Sequence, residues 1–259
     1  MKRNWWAGVL VTLLPAPLAP APLAAQSLAP RVQGAGDGTV RLSFASREAV
    51  CSSGPGSITI LDDHDEDSEE WENGCERGPV RVSLRLKGGR VTDSETYVGG
   101  RWRAGSGRVT DLGLVPAREA ADLLLALAPQ VGDDDDGGEL VTAATLADSV
   151  VVWPQLLRMA RDGGIREETR RQAVFWLGQA AGDAATKGLD SIATDSGGEI
   201  EIRKQAVFAL SQRPADEGVP VLIRIARTNR HPELRKTALF WLGQSEDPRA
   251  LTLFEEILR

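Results

Sequence analysis

Histidine, cysteine and tyrosine are scarce in this chain: its 259 residues hold two His, two Cys and one Tyr. A histidine-dependent active site therefore has two starting points, His64 and His231, and neither stands in a recognisable frame with a Ser or Cys nucleophile. The patterns Gly-x-Ser-x-Gly and His-Glu-x-x-His and a Gly-rich phosphate loop are missing too. No catalytic residue, cofactor or metal ligand is therefore assigned, and the expectation is a non-enzyme. Positive charge is also short. Lys and Arg number 30 against 37 Asp and Glu, for a net charge of −7. That is the wrong sign for neutralising phosphates, which argues against a general nucleic-acid binder. Long apolar runs are missing as well. Trp5–Leu14 has ten residues, whereas a helix needs about 20 to span a bilayer.

The short run has a different use. Lys2 and Arg3 precede it, and a Pro/Ala stretch follows, ending Leu23-Ala24-Ala25-Gln26. This is the layout of a secretory signal peptide over 1–25, cleaved after Ala25. Residues 26–37 read as a linker. The expectation is an exported protein, periplasmic or extracellular, with no stable membrane anchor after cleavage. Loss of Lys2 and Arg3 would take the charge from −7 to −9. In that compartment the pair Cys51 and Cys75 suggests a disulfide.

Residues 38–130 read as a small antiparallel β domain with a following helix. Val40, Leu42 and Phe44 alternate with polar residues, as do Val80, Val82, Leu84 and Leu86; this is the period of a half-buried strand. Gly88-Gly89 turns the second run into a hairpin with Arg90–Val98. Ser57–Leu61 and Arg108–Val115 are weaker strands. Residues 117–128 have a helical apolar face, suited to the sheet or to capping a helical stack. Arg101-Trp102-Arg103 fits either a recognition tip or a Trp closing the β core. Two acidic runs stand out. Asp62–Glu72 lacks the ordered spacing and turn glycine of a calcium loop, so a solvated loop is the simpler account. Its alternative is a metal site in an enzyme or an accessory subunit. Asp133–Asp136 lies in 131–138, which reads as an acidic linker.

From 139 to 259 the chain repeats itself. Gln172–Gln179, Gln205–Gln212 and Thr237–Gln244 nearly coincide, with Phe175, Phe208 and Phe240 at a period of 33 and then 32 residues. Upstream, Leu156, Leu189 and Leu222 recur, as do Met159, Ile192 and Ile225, then Ala160, Ala193 and Ala226. Spacings of i, i+3 and i+4 mark one helical face. Each unit is therefore two short helices that can bury their apolar faces only by stacking. Asp183, Asp216 and Asp247 fall before the upstream helices, where Asp can cap orphan N–H groups. His231-Pro232 repeats that punctuation with a weaker cap.

The blocks Arg170-Arg171-Gln172-Ala173, Arg203-Lys204-Gln205-Ala206 and Arg235-Lys236-Thr237-Ala238 resemble HEAT repeats. They are closest to the short bacterial kind first noticed in phycobilin lyases; lyase activity does not follow, because only framework positions match. The resemblance implies an α-helical solenoid, an α+β multidomain chain, and a scaffold that binds a protein partner. It also implies that the first arginines, Arg170, Arg203 and Arg235, bond neighbouring repeats. Arg171, Lys204 and Lys236 would then be free to form a basic stripe for an acidic partner. The slots of Phe175, Phe208 and Phe240 are usually polar or small in that family. Here they hold rings that either pack as core between repeats, the common fate of an aromatic stripe, or form an open row for a partner. Trp176 and Trp241 beside them read as core.

Overall fold

The structure is a computed structural model and describes residues 27–48, 50–54, 57–60, 75–102, 107–131, 134–180 and 182–259. The expected signal peptide and the acidic run 62–72 with His64 lie outside these residues.

Alternation builds the sheet. Strands β1 (Gly38–Phe44), β4 (Val80–Lys87), β5 (Arg90–Val98) and β6 (Val109–Leu114) pair in the order β5-β4-β1-β6. Gly88 and Gly89, at φ 59° and 75°, make the β4–β5 turn, the left-handed pair that a two-residue hairpin demands. The sheet is antiparallel as expected at β5-β4-β1 and parallel at one edge. The chain leaves β5, crosses to the far side, and enters β6 parallel to β1. A second, two-stranded sheet pairs β2 (Val50–Gly54) with β3 (Ser57–Ile60). Cys51 and Cys75 join in a disulfide with Cα atoms 5.4 Å apart, so β2 is held to the segment before β4. Replacing both cysteines by Ser should lower stability by about 3 kcal/mol, the loop-closure value for a bridge of this span. Denaturant unfolding measures it, and an unmoved midpoint would show that the bridge constrains nothing.

One face of the sheet, with Val40, Leu42, Phe44, Val82 and Leu84, is fully buried. Helices α1 (Leu28–Gly34), α2 (Ala117–Leu127) and α3 (Asp134–Thr145) share its core through Leu28, Val32, Leu124 and Leu140. Two linkers are thereby corrected. Residues 26–37 contain α1, whose Leu28 and Val32 are buried. Residues 131–138 contain the start of α3, and their glycines permit contact. A Cβ on Gly137 would lie 2.5 Å from Thr169 Oγ1 and 2.8 Å from the Ala128 carbonyl. The same core continues to Ala173 and Trp176, so the sheet and the first repeat are not separate hydrophobic units. The Glu139 carboxylate accepts the Thr96 N–H, tying edge strand β5 to α3.

Trp102 follows neither expectation. It lies among the polar side chains of the sheet, with the Arg41 and Arg81 guanidiniums each 5.1 Å from its ring centroid. Tyr97 meets it edge-on at 5.8 Å.

Three helix pairs follow: α4 (Trp153–Arg161) with α5 (Glu167–Gly178), α6 (Asp183–Thr194) with α7 (Ile200–Ser211), and α8 (Ala215–Thr228) with α9 (Pro232–Gln244). Helix α10 (Pro248–Leu258) comes last. The first helices α4, α6, α8 and α10 form one row; the second helices α5, α7 and α9 form another, which α3 begins. Ala173, Ala206 and Ala238 are wholly buried, as are Leu177, Leu210 and Leu242. Small residues mark the closest approaches. A Cβ on Gly218 would stand 2.2 Å from the Leu210 carbonyl oxygen, and Ala185 and Ala250 hold the same slot in the flanking units.

Asp247 caps α10, accepting the Arg249 N–H at 2.8 Å. Asp183 and Asp216 instead lie inside the first turns of α6 and α8, where an acid favours the helix dipole. Hydrogen bonds from the Arg249 guanidinium, then from its N–H, hold the Asp247 carboxyl at about 2, below its ordinary 3.8. A carboxyl depressed in the folded state contributes stability above its unfolded pKa and loses it as pH falls through the folded one. The melting temperature should therefore fall less between pH 4 and pH 2 in Asp247→Asn than in wild type. Identical pH profiles would show that the cap adds nothing.

Candidate functional site

The second helices carry the candidate site because their outward positions repeat along with their core. With i, i+3, i+4, i+7 and i+11 on one helical face, α5 presents Glu168, Arg171, Gln172 and Phe175, with Gln179 at its C-cap. Helix α7 presents Glu201, Lys204, Gln205 and Phe208, with Gln212 at its C-cap, and α9 presents Glu233, Lys236, Thr237, Phe240 and Gln244. All fifteen are half-buried or exposed. Stacked helices lie about 8–10 Å apart, so these faces form three rungs of nearly identical chemistry.

None of the three rings is fully buried. Phe240 is 57% exposed, and Phe175 and Phe208 are half-buried. The favoured expectation that the phenylalanines pack between repeats fails at Phe240; Phe175 packs against the edge of the core and Phe208 against the next repeat. Their places inside the stack are taken by Val174 and Val207, both wholly buried. The Phe208 ring leans on Trp241 of the next repeat at 4.8 Å, and Phe240 meets the same indole edge-on at 5.0 Å. Phe175 meets Trp176 edge-on at 5.3 Å. Trp176 is buried, as expected, whereas Trp241 is half-buried. The middle repeat has Ala209 in the tryptophan slot, because a Cβ on Gly178 would lie 3.0 Å from that of Ala209; an indole has no room there. Toward the N-terminus the row of rings stops at Thr142 of α3. Its hydroxyl oxygen accepts Gln172 Nε2 at 2.9 Å and Trp176 Nε1 at 3.0 Å.

The two basic ladders separate. The first arginines turn inward. Arg170 meets Glu199 of the next repeat at 2.7 Å, Arg203 donates to the Ala193 carbonyl at 3.2 Å, and Arg235 donates to that of Asn229 at 2.9 Å. The last two arginines thus serve the orphan carbonyls at the ends of α6 and α8. The second ladder is not free. Arg171 pairs with Glu168 at 3.4 Å, Lys204 with Glu201 at 3.1 Å and Lys236 with Glu233 at 3.8 Å. Each cation has a carboxylate one turn before it. The expected basic stripe is therefore a ladder of opposite charges beside the rings, with no net positive field to attract an acidic segment.

Among the described residues no three His, Cys, Asp or Glu side chains are grouped to hold a metal ion. No helix among them is long and apolar enough to cross a membrane.

Sequence reasoning missed Arg213, which binds the stack together. From the α7–α8 loop its guanidinium donates to the Gly178 carbonyl at 3.1 Å, to those of Ala180 and Gly182, to Thr186 Oγ1 at 2.9 Å and to the Glu217 carboxylate at 2.7 Å. Hydrogen bonds from Thr186 and then from Arg213 hold the Glu217 carboxyl below its ordinary range. No periodic signal announces Arg213; only the closeness of consecutive loops in the stack gives it partners.

Comparison with known proteins agrees with the repeats. Residues 191–259, from late α6 through α10, match the family model for HEAT repeats. No curated protein matches the chain. The stacked pairs extend upstream of that match into α4 and α5, with the same buried Leu, Ala and Arg positions. The C-terminal part of this chain, residues 191–259, is thus similar to HEAT repeats.

Proposed function

We propose that this chain is an exported, non-enzymatic interaction protein that holds a protein partner on the rungs of α5, α7 and α9. HEAT repeats commonly serve as protein-interaction surfaces. The observation that carries the reading is the recurrence of Glu, Lys or Arg, Phe and Gln at outward positions of three successive helices. Core packing dictates Ala173, Ala206 and Ala238; it places no such demand on an exposed Phe240. Three rings along one row offer apolar area, and the paired charges beside them can orient a partner without attracting acidic ones indiscriminately. The partner that fits presents apolar or aromatic side chains in an extended arrangement. The disulfide is compatible with an oxidising compartment. The domain plan that supports this reading has a sheet-bearing N-terminal part and a C-terminal repeat array. A signal peptide would precede both.

The test separates rings from charges. In the chain from residue 26 onward, Phe208→Ala with Phe240→Ala should weaken capture of the partner at least tenfold, as loss of central aromatic anchors does. Its melting temperature should fall modestly, because the Phe208 ring packs on Trp241, while the single variant Phe240→Ala should melt near wild type and still weaken capture. Lys204→Glu with Lys236→Glu should weaken capture less, and most at low ionic strength. Undiminished capture by the double alanine variant would move the binding site off these helices.

A further inference from the structure

A cleft of about 230 Å³ opens beside the first rung, where the sheet meets the repeats. Its walls are apolar, supplied by Val151, Val152, Trp153, Leu156 and Trp176, and one side chain that lines it is cationic: Arg47. The backbone holds Arg47 in place. Its N–H donates to the Leu146 carbonyl at 2.9 Å, and the Asp148 N–H donates to that of Ala45, also at 2.9 Å. Ser46 pairs with Ala147 in the same short bridge. The chain that leads into Val150–Trp153 on the other wall turns just before it at Ser149, the one non-glycine among the described residues with positive φ, at 55°. Left-handed backbone of this kind persists where the surroundings over-determine it, and it gathers at binding sites.

The backbone at Arg47 is anchored, while one donor of its half-buried side chain is left unpaired. Its Nε is buried with no hydrogen-bond partner, and no ion pair reaches Arg47 among the described residues. Burial without a compensating carboxylate pushes its pKa down. A buried donor left unpaired costs free energy in the unliganded protein, and neither packing nor helix capping accounts for this one. A single guanidinium presents a planar fork that matches one carboxylate in both charge and shape. A phosphate dianion would call for a second cation, and the cleft has none. Two indoles and three aliphatic side chains leave space for a small apolar or aromatic group behind the carboxylate.

We infer that this cleft is a binding site for a monocarboxylate carried on a small apolar or aromatic group, with Arg47 as its anion anchor. The carboxylate can belong to a free organic acid or to the C-terminal residue of a polypeptide. The site is separate from the Phe row and stands whether or not that row binds a partner.

The experiment titrates the full chain, with its disulfide intact, and follows indole fluorescence and calorimetry. The free-acid probe is 3-phenylpropionate and its neutral control is 3-phenylpropanol. The second source is probed with acetyl-Ala-Ala-Phe as the acid and as the C-terminal amide. Saturable binding of 3-phenylpropionate, with the alcohol weaker by about tenfold to a hundredfold, is the expected result for a charge-assisted contact. If only the tripeptide acid binds, and its amide does not, the site stands and its source is a chain terminus. Arg47→Met should lose the preference for acid over alcohol or amide and melt no lower than wild type. Val151→Glu, at a position 62% exposed, should weaken carboxylate binding by adding like charge at the rim without disturbing the fold. The assignment is overturned if neither carboxylate binds, if alcohol and acid bind equally, or if Arg47→Met binds unchanged. A marked loss of stability in Arg47→Met would overturn it too, since the guanidinium would then be holding the structure rather than awaiting a ligand.

Discussion

Ala206→Glu should cost about 3–5 kcal/mol, because it places an unpaired carboxylate where no water reaches. Ala206 is wholly buried in α7, within the core cluster that the three repeats share. A longer side chain there must also push apart helices already in contact. In a chain of this size each kcal/mol lowers the melting temperature by about 2–4 °C, so a drop on the order of 10 °C is expected. Coupling between nearest neighbours in a stacked array means that hydrogen exchange should quicken in α5 and α9 as well as α7. The strands β1 and β4, which belong to the other core cluster, should change less. An unaltered melt would show that the register of the repeats is wrong.

Arg213→Met is the second large effect and tests what joins one repeat to the next. Its guanidinium serves three carbonyls of the α5–α6 loop together with Glu217 and Thr186. Methionine keeps most of the stem and removes every one of those bonds. Breaking a buried charge network by deleting one partner costs about 3–5 kcal/mol. The melting temperature should fall accordingly, and exchange should quicken in the loop 178–182 before it does in α9. Loss of the buried partner should also let the Glu217 carboxyl return toward its ordinary range, since Arg213 is one of the groups that depress it. An Arg213→Met protein as stable as wild type would mean that these contacts merely fill space.

The contrast between Ala206 and Arg213 shows what the sequence could and could not reveal. Ala206 was legible because packing against a neighbour repeats with the stack, so Ala173, Ala206 and Ala238 fall at fixed spacing and all are buried. The alternation of Val80, Val82, Leu84 and Leu86 was legible for the same kind of reason, a strand's period of two. Arg213 was not, since apart from Glu217 its partners lie about a repeat away in sequence, in the α5–α6 loop and the start of α6. The parallel β1–β6 pairing likewise depends on a long crossover that no local pattern encodes. Gly137 and Gly138 read as linker because glycine lowers helix propensity, yet the space between α3 and Thr169 admits no side chain at Gly137. The Phe row was seen but placed inside, because periodicity alone says that residues share a face without saying which way the face points. The partner glutamates Glu168, Glu201 and Glu233 carried the same 33- and 32-residue period as the rings. Pairing them with the cations three residues later would have removed the basic stripe at the outset.

The most direct test of the interaction account is hydroxyl-radical footprinting of the chain, free and with the partner captured from the exported fraction. The account predicts that Phe240 is strongly oxidised in the free chain, that Phe208 and Phe175 react less, and that all three are protected in the complex. Leu251 of α10, 61% exposed and outside that row of helices, should react alike in both states. Protection confined to α6, α8 or the sheet, with Phe240 as reactive in the complex as in the free chain, would contradict it.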